Sequence, residues 1–368
     1  MWRSTGAFGF PAGVVDMRPN EESSVSKVDY ENIKTFSYSG VGERTVTPLS
    51  KSGLRELRRD ARGGNADAQF YLGWLYETGE DPGVPQDYDK SIDLYLASAQ
   101  QGNASAQHSL GDMCVQGDEV DEGMKWLRDA ADQGHAPAMT ALGYVYEQMP
   151  GNISEKVKSD VEAATWFLFA AELGETDAQY RLGEMYRQGR AEAWRWGKDS
   201  TGAKELAACG WTEGQICHHG QHTNDVVAAV WFRLSASRGH ARAQFRLGNA
   251  YAQGTGVGMD KERAVIWHEA AAAQGDRYSM YVLGCFFENG DGVPVDCDAA
   301  IRWYCLAAAL GCDDSQNRLY KLVPDAPPVP RASNVASFSR MDDDDELDET
   351  EDDNVLLDDD DGEEVTVH

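Results

Sequence analysis

The sequence predicts an all-α solenoid of antiparallel helix pairs, about six to seven of them, and three observations predict it. A Leu-Gly pair returns six times, at Leu72-Gly73, Leu110-Gly111, Leu142-Gly143, Leu182-Gly183, Leu247-Gly248 and Leu283-Gly284, with spacings of 38, 32, 40, 65 and 36 residues. Around it Ala, Leu and Tyr fall at i, i+4 and i+8, as in Ala68, Leu72 and Tyr76, which is one face of a helix. Farther on, Trp126, Trp166, Trp231, Trp267 and Trp303 are each followed by small residues at +4 and +5 and by glycine at +8. A unit of about 36 residues holding two such stretches is one helix pair, and a pair buries its apolar face only against its neighbours.

Taken from the N-terminus, residues 1–50 read as largely disordered, and the array as residues 51–323. The opening residues hold one early Arg, no sustained apolar run and acids from Asp16 onward, a poor match to a secretory or mitochondrial leader. A cytosolic or nuclear address is expected. In the first helix of each unit, glycine directly after leucine costs about 1 kcal/mol against alanine, so close approach by the partner helix is expected there. The second helix opens on Asp87, Asp260 or Asp296, placed to cap free amides. The tryptophan is expected to fill the space between helices, with Trp231 and Trp267 buried, and the glycine to end the helix in a left-handed turn. Leu94 and Glu56 replace the tryptophan toward the N-terminal edge, as edge units commonly degenerate.

These residues resemble the Sel1-like repeat, a relative of the tetratricopeptide repeat, over about residues 54–323. The resemblance implies a right-handed superhelix of antiparallel helix pairs and a protein that holds other proteins together. It implies no chemistry of its own.

Candidate recognition residues are those that vary while the scaffold stays fixed. The positions just before Leu and just after Gly are i and i+3 neighbours. They give Tyr71 and Trp74, Ser109 and Asp112, Ala141 and Tyr144, Arg181 and Glu184, Arg246 and Asn249, Val282 and Cys285. By analogy with related repeats this stripe lines the concave groove, and Tyr71, Trp74, Asp112, Tyr144, Arg181, Glu184, Arg246 and Asn249 form the candidate partner-binding set, since Tyr, Trp and Arg commonly anchor interfaces. Changing Tyr71, Trp74 and Arg246 together is expected to leave the fold intact.

The long spacing marks an insertion, about residues 190–224, placed between the fourth and fifth units and rich in tryptophan. It holds Cys209, Cys217, His218, His219 and His222, enough donors for a tetrahedral zinc, with Cys209, Cys217, His219 and His222 as the candidate set. The spacing argues against metal: there is no Cys-x2-Cys, and adjacent histidines rarely share an ion. A loop adding aromatic contact surface is the preferred reading. The Gly-x-Gly-Val runs at 254–257 and 290–293 read as turns between helices, since neither follows a strand or carries a P-loop Lys. His135 and His240 read as surface turn residues. With no nucleophile, metalloprotease or paired-carboxylate motif, the chain is read as non-enzymatic and without a cofactor.

After Val323 four prolines mark a linker, residues 324–341, and an acidic tail follows at 342–368. Between 342 and 364 there are 16 carboxylates and no Lys or Arg, more than half of the net charge of −29, a composition that cannot form a core alone. The tail is expected to attract basic partners, and to return to the groove past Arg181 and Arg246. The carrier of a basic protein is therefore the alternative to the scaffold. The strong negative charge disfavours direct nucleic-acid binding, and no apolar run is long enough to span a bilayer.

Overall fold

The computed structural model describes residues 49–149, 153–191, 201, 204, 221–324 and 328–331. Fourteen helices and no strand occur among the described residues. They are α1 (Lys51–Arg62), α2 (Ala66–Thr78), α3 (Tyr88–Ala99), α4 (Ala104–Gln116), α5 (Val120–Asp132), α6 (Ala136–Gln148), α7 (Ile153–Glu172), α8 (Thr176–Arg187), α9 (Gln221–Ser237), α10 (Ala241–Gln253), α11 (Lys261–Ala272), α12 (Arg277–Asn289), α13 (Cys297–Ala309) and α14 (Asp313–Leu322). The dominant packing joins α2 with α3, α4 with α5, α6 with α7, α8 with α9, α10 with α11 and α12 with α13. The fold is thus an all-α solenoid of repeated antiparallel pairs. The chain divides after Asp276 into two compact units, each described by itself.

Local sequence sets the helix ends. Asp87, Asp260 and Asp296 accept hydrogen bonds from the amides of Lys90, Arg263 and Ala299, and Asn65 and Asn103 do the same at α2 and α4, each satisfying an amide the helix cannot. After α7, Gly174 takes φ of 93°, a left-handed conformation that reverses the chain at no steric cost.

The pairing across insertion and core corrects two expectations. First, the insertion does not separate the fourth and fifth units. Because α8 packs on α9, it lies inside the fourth pair, between its two helices. Second, the space between paired helices is filled by the residue after the tryptophan position, namely Tyr95, Leu127, Phe167, Phe232, His268 and Tyr304, all buried. Trp126, Trp166, Trp267 and Trp303 are only half-buried, and Trp231 alone of the five is fully enclosed. The Leu-Gly glycine explains the choice. A Cβ at Gly143 would lie 2.5 Å from the Phe167 ring, so glycine there lets the ring pack directly against the helix.

His268 occupies this ring position opposite Gly248, and burial pushes its pKa down to about 3. Its unfolded value is about 6.5, so between those limits the unfolded chain binds the proton and the folded chain does not. Its share of stability is full above about pH 6.5 and is lost as pH falls toward 3. His268→Phe is expected to remove about 2 kcal/mol of the stability difference between pH 7.5 and pH 5. Denaturant melts at both pH values check this, and an unchanged difference would refute it.

A further device links neighbouring pairs. The Gln side chain of the Ala-Gln step donates to the end of the preceding helix: Gln69 to Ala61 O (3.1 Å), Gln107 to Ala99 O (3.2 Å), Gln179 to Ala171 O (3.0 Å) and Gln244 to Ala236 O (3.2 Å). Each Gln oxygen then accepts from the end of its own pair, from Gln101, Gln133, Arg238 and Gln274. Within the second unit, α13 packs on α14, and Val329 covers the cluster of Ala300, Tyr304, Ala308 and Leu319. The Val329 amide donates to Gln316 Oε1 (2.9 Å) and Arg331 pairs with Asp313 (2.7 Å), so this part of the expected linker lies on the last helix.

Candidate functional site

The variable stripe occupies the first helix of each pair, and its character changes along the chain. At α2, Tyr71 and Trp74 are half-buried and their rings stack at 5.7 Å with an interplanar angle of 15°. Both pack on the Leu54, Leu57 and Leu72 core, and Trp74 also packs on the cluster of Tyr95, Ala99, Ala106 and Leu110. On α4, Ser109 and Asp112 are half-buried, and Asp112 Oδ2 lies 3.1 Å from His108 Nε2. The His108 and His135 rings are 5.2 Å apart, and burial, then the neighbouring histidine, pushes the His135 pKa down to about 4.

From α6 to α10 the stripe becomes an internal polar network. The Tyr144 hydroxyl donates to Asp177 Oδ2 (2.6 Å), its ring meets Phe167 edge-on, and the Arg181 guanidinium lies 4.8 Å above it. Arg181 pairs with Glu147 (3.3 Å), and Arg190 joins Glu147 (2.9 Å) to Asp160 (2.6 Å). Burial works against the Asp177 carboxylate, yet hydrogen bonds from His240 and Tyr144 outweigh it and hold the pKa below the ordinary value. Burial likewise opposes the Arg181 charge, which Tyr144 and Glu147 hold in its charged form. Glu184 is buried and grips Arg246 with two contacts, at 3.0 and 3.2 Å, while Arg187 pairs with it at 3.0 Å.

Several expectations change accordingly. Arg181, Glu184 and Arg246 are spent on partners within the array and do not present a free charged groove. His240 is no bare surface turn: its Nδ1 accepts the Ala243 amide (3.2 Å), its ring stacks on Tyr180 at 4.8 Å, and Nε2 faces Asp177 at 3.6 Å. His135 is the residue before α6 and is half-buried. Asn249 is half-buried on α10, and Val282 and Cys285 are half-buried on α12. Sequence reasoning missed Glu147, Asp160, Asp177 and Arg190, which complete the network. They sit outside the varied positions, although Glu147 stands at the same place in its repeat as Glu77 and Glu288, and Asp177 at the same place as Asp67.

Among the described residues no group of three His, Cys, Asp or Glu could hold a metal ion. Cys209, Cys217 and His219 lie outside the described residues, and His222 falls in the first turn of α9, where side chains are not described. A cleft of about 620 Å³ between α9, α10 and the loop after α10 is lined by Val226, Val230, Arg233, Leu247, Tyr251 and Arg263, and no stripe residue lines it.

Repeat period, capped helix pairs and glycine-seated rings together define a sequence family. Residues 66–103, 104–135, 136–175, 176–193, 214–240, 241–276 and 277–312 match the Sel1 repeat, more than half of the chain. The chain belongs to the Sel1 repeat family. The split match at 176–193 and 214–240 agrees with an insertion inside one repeat. The Sel1 repeat chain is similar to chitin synthase regulatory factor 3 of Schizosaccharomyces pombe, 27% identical over 229 residues, which is 55% of this chain and 23% of that protein. An uncharacterised protein of Neisseria meningitidis serogroup B is 32% identical over 148 residues, 39% of this chain and 30% of that one. The chain therefore spans less than a third of either relative. Among solved structures, a protective antigen of uropathogenic Escherichia coli is 26% identical with a TM-score of 0.58, covering 79% of this chain and 55% of the other. A Sel1 repeat protein of Oxalobacter formigenes is 26% identical with a TM-score of 0.52, covering 70% and 90%.

Proposed function

We propose that this Sel1 repeat protein is a non-enzymatic scaffold that holds one or more proteins through the N-terminal part of the first-helix stripe, centred on Tyr71 and Trp74. The observation that carries this reading is the contrast within one stripe. From Tyr144 to Arg246 the varied side chains are engaged within the array, by Asp177, Glu147 and one another, while Tyr71 and Trp74 form a stacked, half-buried aromatic pair packed on the hydrophobic core. Aromatic pairs held rigid in this way offer large contact area with little ordering cost, and such residues dominate interface energies. Similarity to a chitin synthase regulatory factor supports a regulatory or assembly role rather than a catalytic one. A cytoplasmic or nuclear setting is part of the proposal. So is a basic partner for residues 342–364, whose attraction would fade with added salt.

The test is quantitative capture of partners from the source cell by the full chain and by Tyr71→Gln/Trp74→Gln, with melting curves for both. The proposal expects the variant to lose its main partner by more than about tenfold, equivalent to one strong anchor, while staying folded at the assay temperature. Equal capture by a folded variant would sink it.

A further inference from the structure

Helices α3 and α5 lie side by side in one direction. Gln107 of α4 donates to Ala99 O at the end of α3 (3.2 Å) and accepts from Gln133 at the end of α5 (2.6 Å), and the two helices have nearly equal length, so they also begin side by side. The start of a second helix is covered by the loop of the following repeat. After α2 that loop runs over 79–87 and lies on α1, with Val84 buried against Leu54 and Leu57 and Arg58 donating to Gly83 O (2.8 Å). After α10 it runs over 254–260 and passes against the start of α9, where a Cβ at Gly256 would lie 2.1 Å from Asp225 O. The repeat at 104–135 is short, and its loop is only Gly117, Asp118 and Glu119. Their amides bond back to Met113, Val115 and Cys114 of α4, and none of the three is apolar.

The short loop leaves one flank of α3 bare. Tyr88, Ile92 and Leu96, at i, i+4 and i+8, are 57%, 41% and 37% exposed. Ile92 stands two residues before the tryptophan position, where Met124, Ala229 and Val265 are buried and Ala164 and Ile301 half-buried. Leu94 takes the opposite flank, against Leu54 and Leu57, so the bare flank faces α5. Helix α5 closes only the far end of it, where Trp126 packs on Tyr95 and Ala99. What remains is a notch whose apolar strip, from Tyr88 to Leu96, is about 12 Å long, two turns of a helix laid along it.

Charge says what fits there. The strip is bordered on α3 by exposed Asp89 and Asp93, and across the notch by exposed Asp118, Glu119 and Asp121, which line a hollow of about 370 Å³ at the start of α5. None of these five makes an ion pair among the described residues, whereas the neighbouring cations are held, Lys90 by Asp87 and Lys125 by Glu122 (2.8 Å). An apolar strip between two acidic borders suits a ligand that is apolar on one face and cationic on both sides of it. A second copy of this chain, docked by the same face, would set these acids against their own kind. We infer that the notch between α3 and the start of α5 is a docking site for a basic amphipathic helix of a partner protein. The site lies on second helices, so it goes beyond the scaffold reading and does not involve Tyr71 or Trp74.

The probe is a synthetic helical peptide of about 14 residues, with leucine at every third or fourth position, lysine on both sides, and a photoreactive benzoyl-phenylalanine at the centre of the leucine face. It is irradiated with the full chain, and the joined peptides are mapped by mass spectrometry. Label is expected within residues 88–96. Ile92→Gln/Leu96→Gln is expected to reduce that label at least about tenfold with unchanged melting, since both side chains are exposed. Asp118→Asn/Asp121→Asn is expected to reduce it about threefold at about 20 mM salt and little at about 500 mM, where screening is short-ranged. Tyr71→Gln/Trp74→Gln is expected to be labelled like the parent, which separates this site from the aromatic pair. The inference is overturned if label gathers at residues 342–364 instead of 88–96, or if Ile92→Gln/Leu96→Gln is labelled as well as the parent. It is equally overturned if a peptide with glutamate in place of lysine labels as strongly, or if sedimentation shows a dimer that Ile92→Gln/Leu96→Gln dissolves.

Discussion

Replacing Phe167 by alanine is expected to lower stability by about 3 to 5 kcal/mol, and replacing its neighbour Trp166 by only about half as much. Phe167 is fully buried, lies against Gly143 and meets Tyr144 edge-on, so truncation leaves a cavity between two helices that a rigid pair cannot close. Trp166 is half-buried, touching the Leu127 and Leu142 cluster and the Phe169 ring, and part of what it loses is contact with solvent. Denaturant midpoints of the two variants, compared with the parent, check the order. Trp231 is the exception in its repeat, buried together with Phe232, and both positions there are expected to behave like Phe167. A larger loss at Trp166 than at Phe167 would return the packing role to the tryptophan.

Arg246→Met is expected to destabilise by about 2 to 4 kcal/mol, because it strands the buried Glu184 carboxylate. The lower end reflects Arg187, which still reaches Glu184 at 3.0 Å. Adding Glu184→Gln to Arg246→Met is expected to recover part of the loss, since the uncompensated charge is then gone. A double-mutant cycle by denaturant unfolding measures this, and strictly additive losses would show that the pair carries no coupling. The expectation that Arg246 could be changed without touching the fold fails on this geometry.

Much of the fold was legible. The Leu-Gly spacing, the Asp caps and the turn glycines act through local chemistry, and each recurs, the Leu-Gly pair six times and the Asp cap three, so repetition averages out accident. The packing ring was missed for the opposite reason. Tyr95, Leu127, Phe167, Phe232, His268 and Tyr304 differ in type while the tryptophan beside them repeats, and the tolerant pocket over glycine hides its own importance. The insertion was misplaced because spacing measured from first helices alone cannot say on which side of the second helix extra chain enters. The polar network was illegible in principle: Arg190 meets Asp160 across 30 positions, and Arg246 meets Glu184 across 62. Such contacts are set by how the pairs stack.

One stripe is proposed to have two parts, an aromatic part that meets a partner and an ionic part already occupied within the array. Hydrogen–deuterium exchange of the full chain, with and without its captured partner, tests it most directly. Helices α8 and α10 are expected to exchange slowly whether or not the partner is bound, and binding is expected to slow exchange chiefly in α2 around Tyr71 and Trp74. Slowing confined to α8 and α10, with α2 unchanged, would contradict it.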